Sequence, residues 1–230
     1  MSDVDPAVII TGAAGALGHA VVAEFLAAER TVVALDRPGD RLDGLGAERG
    51  VHPVPVELGD RASVQAAFDA VDELPVAPYA LVGLAGGFTP GKLADVDEDQ
   101  LGELLSSNFG SAVWAAQAAA PRFAARGGGA IVLVGSKTAV GGPAPVVHAA
   151  SKAAVVRLTQ LLADELRPQR IRVNAVLPSV IDTPANRTWM SEDLASRAVA
   201  PTAIAKVIAF LCGPDAAPIS GAAIPVYGDA

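Results

Sequence analysis

The sequence predicts an α/β protein, with a doubly wound parallel sheet of about seven strands and helices on both faces. Three observations predict it. Short, wholly apolar runs recur along the chain, as strands buried on both faces require. Between them lie longer stretches with helical periodicity. A glycine-rich turn joins the first apolar run to the first helical stretch. The 230 residues suit one domain, taken here as 1–230. No repeat, low-complexity tract or linker divides them.

The elements follow in order. Residues 7–11 read as the first strand, 17–28 as the first helix and 31–35 as the second strand. Strand 51–56 and helix 63–71 come next, then strand 80–84, which ends in Ala85-Gly86-Gly87. A long helix is expected over 97–126, broken near Pro121 because proline removes a helical hydrogen bond. Strand 130–134, a long helix over 146–166, strand 171–176, helix 203–211 and strand 222–226 complete the pattern. Residues 39–50 and 183–200 read as irregular, and a lid over the site is expected from the second.

Composition narrows the function. The chain carries a net charge of −8 and no basic stripe, which argues against nucleic acid as a partner. Scattered Lys and Arg argue equally against an electrostatic membrane anchor, and no apolar run reaches spanning length. Cys212, the one cysteine, lies in an apolar run and reads as a buried, inert thiol, as a reducing compartment allows. Residues 1–7 lack a basic segment followed by an apolar one, so no signal peptide and a cytoplasmic location are expected. Three scattered histidines and one cysteine predict no metal site.

The turn after the first strand carries chemistry. In Gly12-Ala13-Ala14-Gly15-Ala16-Leu17-Gly18, glycines permit a tight turn and close backbone approach to a pyrophosphate. The following helix offers unpaired N–H groups and a positive dipole end, the Rossmann-type arrangement for dinucleotides. Asp36 ends the second strand, 18 residues past Gly18, where a carboxylate accepts both ribose hydroxyls and repels a 2′-phosphate. Arg37 is the counter-signal, since it could pair with that phosphate. NAD(H) is the expected cofactor.

With these residues in view, the chain resembles the short-chain dehydrogenase/reductase family over nearly its whole length. Thr11, Gly12 and Gly18 match that family's Thr-Gly-x-x-x-Gly-x-Gly, with Ala16 for the middle glycine and Gly15 one place early. Glu57-Leu58 stands where the family's Asp-Val pair touches adenine. Ala85-Gly86 matches the end of its Asn-Ala-Gly, with Leu84 for the Asn. The run from Pro178 through Ile181 to Thr183 resembles its Pro-Gly-x-x-x-Thr, which implies a nicotinamide carboxamide held by Ile181 backbone and the Thr183 hydroxyl. Gly15 to Gly18, Ala85 to Gly87, Gly135-Ser136-Lys137 and Leu177 to Met190, the last best at Asp182-Thr183-Pro184, Asn186-Arg187 and Met190, resemble the quinonoid dihydropteridine reductase branch.

The resemblance also implies an active site of Asn108, Ser136 and Lys152, with His148 at the position of the family's tyrosine. Four residues on a helix bring His148 and Lys152 to one face. Imidazole is a competent acid/base, and a neighbouring Lys152 ammonium disfavours its protonated form, which makes it the better base. The expected activity is hydride transfer between nicotinamide and a small carbonyl, alcohol or quinonoid substrate. Two alternatives stay open: a dehydratase, cyclase or isomerase using His148 as base, and a catalytically silent NAD-binding protein. A homodimer or homotetramer through the two long helices is implied by the family. Lys137 reads as solvated.

Overall fold

The structure, a computed structural model, describes residues 5–229. Residues 1–4 of the segment read for a leader lie outside these. Seven parallel strands form one sheet: β1 (Asp5–Thr11), β2 (Thr31–Asp36), β3 (Val51–Pro55), β4 (Val76–Gly83), β5 (Gly129–Val134), β6 (Ile171–Pro178) and β7 (Ala223–Val226). Their order is β3-β2-β1-β4-β5-β6-β7, the doubly wound topology expected. The chain winds outward from β1 to β3, then restarts beside β1 with β4. That reversal leaves a crevice at the carboxyl ends of β1 and β4, where such sheets bind ligands.

Helices cover both faces: α1 (Ala16–Ala27), α2 (Asp40–Gly46), α3 (Arg61–Asp72), α4 (Glu98–Leu104), α5 (Ser111–Ala125), α6 (Val146–Glu165), α7 (Pro184–Arg187), α8 (Glu192–Arg197) and α9 (Pro201–Cys212). Alternate strand residues feed two cores. Ile9, Val33, Leu81 and Ile131 point to the α3–α5–α6 side with Phe68 and Phe123. Val8, Val32, Val82 and Val132 point to the α1–α9 side with Phe25 and Ile208. Each of these four-residue sets is fully or almost fully buried, so the continuous apolar runs match a two-sided sheet.

Four expectations need correction. β4 starts at Val76, four residues early, although it contains Pro78. A register shift in its pairing with β1, between Ala7 and Val8, falls opposite Pro78, and pairing with β5 begins only at Ala80. The missing N–H therefore falls where no ladder bond is lost. Pro121 does not break α5. It lies on the exposed face with Gln117, whose carbonyl water can reach, and Arg122 Nη1 donates to Ala118 O at 2.8 Å. The long helix is interrupted earlier, by a π turn over Leu105–Gly110. Segments 39–50 and 183–200 hold short helices, α2 in the first and α7 and α8 in the second. Among the described residues no helix is long and apolar enough to cross a membrane.

Candidate active site

The loop between β1 and α1 is shaped by two glycines. Gly12 has φ +70°, and a Cβ there would lie 2.8 Å from Ala85 N. A Cβ on Gly18 would lie 2.3 Å from Ala13 O, so only glycine lets α1 begin this close to the turn. Gly15 is the N-cap residue of α1 and supplies no side-chain cap, which leaves the first helical N–H groups facing the crevice. Ala16 and Leu17 open the helix, and the Ala16 methyl is exposed, where it obstructs nothing.

Asp36 ties this loop to β2. Its Oδ2 accepts from Ala14 N and its Oδ1 from Arg37 N, both at 2.8 Å. The carboxylate is thereby fixed at the sheet edge, and each oxygen keeps a lone pair for a further donor. The Ala14 N–H is committed to Asp36. Arg37 is exposed. Glu57 is exposed beside the same edge, whereas Leu58 packs in the core.

Beyond β4, Asn108 organises the backbone. The π turn carries it, and Ser111 N donates across five residues to Ser106 O, so the turn widens and aims Asn108 inward. Its Nδ2 donates to Gly87 O at 3.1 Å and to Ser151 Oγ at 2.9 Å, and its Oδ1 accepts from Gly87 N at 2.9 Å. A Cβ on Gly86 would lie 2.5 Å from Asn108 Oδ1 and 3.0 Å from Lys152 Nζ. Ala85 and Gly86 thus pass closely over both side chains.

Lys152 is 6% exposed and donates from Nζ to Val134 O at 2.9 Å. Burial pushes its ammonium down to about 8. One helical turn earlier, His148 is 8% exposed. Burial first, and the Lys152 charge second, push its imidazole down to about 4. The sequence had named only Lys152 as the cause. His148 Nδ1 lies 3.5 Å from Thr138 Oγ1, which lies 2.8 Å from Ser136 Oγ. Thr138 N also donates to Ser136 Oγ, at 3.2 Å. The Phe88 ring meets His148 edge-on at 5.1 Å. Lys137 is not simply solvated: its Nζ lies over the Tyr227 ring at 5.2 Å.

The segment after Pro178 is held by its own polar groups. Asn186 Nδ2 donates to Ile181 O at 2.8 Å, and Thr183 Oγ1 accepts from Asn186 N at 3.1 Å, capping α7. Ile181 bridges Val199. Arg187 pairs with Asp182, which holds that carboxyl below its ordinary range. Cys212 lies across the sheet in the α9 core, and burial pushes its thiol up to about 12. Among the described residues no group of three or more His, Cys, Asp and Glu converges as a metal site would require.

This assembly of a glycine turn, a helix N-terminus, an edge carboxylate and a helix-borne lysine accompanies a family match. Residues 6–194 fit the model for short chain dehydrogenases. The chain belongs to the short-chain dehydrogenase family. It is 31% identical to the 3-oxoacyl-[acyl-carrier-protein] reductase MabA of Mycobacterium bovis, over 98% of this chain and 92% of that one. The crystal structure of a 3-ketoacyl-(acyl-carrier-protein) reductase from Brucella melitensis complexed with NADH superposes with a TM-score of 0.89, at 27% identity over 97% of each chain. ElxO with NADP bound superposes with a TM-score of 0.91 at 23% identity, over 97% of this chain and 98% of that one, a likeness of fold. The chain is accordingly an oxidoreductase of this family, whose solved neighbours bind NAD or NADP.

The structure brings Asn108, Ser136, His148 and Lys152 together at the carboxyl edge of β4 and β5. The sequence reading missed two neighbours of His148 in this cluster. Thr138 stands two residues past Ser136 in a tight turn that Ser136 caps, a Ser-x-Thr signal after a strand. Phe88 follows Gly87 directly, and nothing in its spacing marked it as a neighbour of His148.

Proposed function

We propose that the protein is an NAD(H)-dependent oxidoreductase that transfers hydride between nicotinamide and a small carbonyl, alcohol or quinonoid substrate, with His148 as the proton-transfer residue. The observation that carries this is the pairing of His148 with Lys152 on one buried helical face, beside Ser136 and Thr138.

The cofactor cradle fits a dinucleotide. Gly12 and Gly18 exclude any side chain from the turn, and the open N-terminus of α1 suits a pyrophosphate. Asp36 accepts the adenosine ribose hydroxyls and opposes a 2′-phosphate, which favours NAD over NADP. Glu57 and Leu58 border the adenine, Ala85 and Gly86 the sugar–phosphate chain. Lys152 donates to the nicotinamide ribose. Pro178, Ile181 and Thr183 line the carboxamide position, where the Thr183 hydroxyl, already accepting from Asn186, still has its proton to give.

The bound nicotinamide supplies the hydride acceptor or donor, and the chain supplies position and proton control. In the oxidation direction the alcohol carbon gives up hydride, and the hydroxyl proton passes to the neutral His148 imidazole as the C=O double bond forms. When Nδ1–H donates to Thr138 and Thr138 donates to Ser136, the other ring nitrogen keeps its lone pair as base. Ser136 Oγ then accepts twice from Thr138 and donates its own proton to the substrate oxygen. Thr138 is a positioning residue in this scheme. Asn108 holds the Gly87 backbone and, through Ser151, the start of α6.

A homodimer or homotetramer through α5 and α6, in a cytoplasmic setting that keeps Cys212 reduced, accompanies this reading. The test follows the absorbance of NADH with a panel of alcohols, ketones and quinonoid dihydropterins, with cofactor binding read by fluorescence in the same samples. Turnover by wild type, reduced at least 100-fold in His148→Phe with NADH binding retained, is expected. Substrate conversion without NADH would establish the dehydratase, cyclase or isomerase chemistry instead. Binding without turnover of any kind would leave a silent NAD-binding protein.

A further inference from the structure

The apolar side chains exposed at the surface fall into two groups. Of nine large ones among the described residues, Phe88, Leu93, Val140, Val146 and Trp189 sit where the chain leaves the carboxyl ends of β4, β5 and β6. The other four lie on α4, the π turn, α6 and α9. Apolar side chains dispersed singly over a surface need no explanation, but five on three neighbouring loops at one sheet edge mark a binding surface. Phe88 joins them to the chemistry: it is 54% exposed yet touches His148 edge-on. Trp189, also 54% exposed, follows α7 in the segment after β6.

The cations on the loops after β5 and β6 are already engaged, whereas Lys92, four residues past Phe88 on the loop after β4, is exposed. Asp182 and Arg187 form a two-point ion pair with bonds of 2.5 and 2.8 Å. Lys137 rests on the Tyr227 ring. A carboxylate or sulfonate held between the loops after β5 and β6 would have to break one of these contacts to find a counter-charge there. A polyol would leave hydroxyls against apolar side chains, each costing a lost hydrogen bond.

We infer that the site takes an uncharged, ring-bearing apolar alcohol or ketone, its ring against Phe88 and Trp189 and its oxygen at Ser136 and His148. This rests on the hydride-transfer reading above. Aromatic rings prefer offset or edge-on neighbours, and both side chains are more than half exposed.

The experiment compares 1-phenylethanol, its para-carboxylate analogue and xylose as NAD+-dependent substrates of wild type, Phe88→Ala and Trp189→Ala. Wild type should prefer 1-phenylethanol to both by at least about 100-fold in kcat/KM. Each alanine variant should raise KM for 1-phenylethanol about tenfold and leave KM for NAD+ unchanged. Preference for the carboxylate or the sugar, or an unchanged KM in both variants, would overturn the inference. Calorimetry of acetophenone and 4-acetylbenzoate binding to NAD+-loaded protein, where no reaction occurs, separates this claim from the catalytic one. Acetophenone binding that weakens in Phe88→Ala supports the inference even if no alcohol turns over. Tighter binding of 4-acetylbenzoate, or binding of neither, refutes it.

Discussion

Asn108→Ala tests how much of the site rests on one buried amide. Asn108 is 1% exposed and makes three hydrogen bonds, two to Gly87 and one to Ser151. Alanine removes all three. Ser151 Oγ retains its bond to His148 O at 2.9 Å, so its loss is partial. Gly87 N and O lose a partner at a position water partly reaches, which puts each near the lower end of about 1–3 kcal/mol for an unpaired buried group. With the cavity left by the amide, the sum is about 2–4 kcal/mol. For a domain of this size that lowers Tm by about 5–15 °C. Calorimetric melting of wild type and Asn108→Ala measures it directly. NADH affinity should fall as well, because the Gly86–Gly87 backbone is no longer held over Lys152. A Tm within about 2 °C of wild type would refute the clamp, since the π turn would then be positioning nothing the fold depends on.

Gly18→Ala places a methyl 2.3 Å from Ala13 O and should destabilise by about 3 kcal/mol or prevent folding, as read by urea denaturation. Asp36→Ser should move cofactor preference from NADH toward NADPH by about 10–100-fold in kcat/KM, because the carboxylate opposing a 2′-phosphate is gone while a hydroxyl can still accept from Ala14 N. Lys152→Met should be the more stable protein at pH 7, since it removes a buried ammonium. That advantage should shrink as pH rises from 8 toward 10.5, because the folded wild-type amine is neutral there while the unfolded chain still binds its proton. The same variant should bind NADH more weakly, by fluorescence titration.

The sheet was legible in the sequence because the central strands β1, β2, β4, β5 and β6, buried on both faces, leave apolar runs, and the glycine turn fixed where the first crossover begins. The edges were less legible. Pro78 hid the first half of β4, because its fit depends on a register shift in the pairing with β1. Pro121 suggested a break that solvent exposure makes unnecessary. The π turn at Asn108 has no simple residue code, although it decides where that side chain points. In the site, His148 and Lys152 were found through the resemblance, and their spacing of four placed them on one helical face. Thr138 and Phe88 reach His148 from different loops, and contacts across loops leave no periodicity to read.

The most direct test of the central claim is the pH dependence of alcohol oxidation by wild type beside His148→Phe, as kcat/KM, which reports the free enzyme. Burial and Lys152 hold the His148 imidazole at about 4, so its base form is complete from pH 5 upward. The wild-type rate should be flat between pH 5 and 7.5, where an unperturbed imidazole near 6.5 would cut it tenfold per unit on the acid side. Carbonyl reduction, which needs the protonated ring, should fall over the same range. His148→Phe should be at least about 100-fold slower and should rise with pH as hydroxide takes over the base's task. A wild-type inflection near 6.5 would contradict the buried, neutral imidazole. A His148→Phe rate equal to wild type would contradict its role as the base.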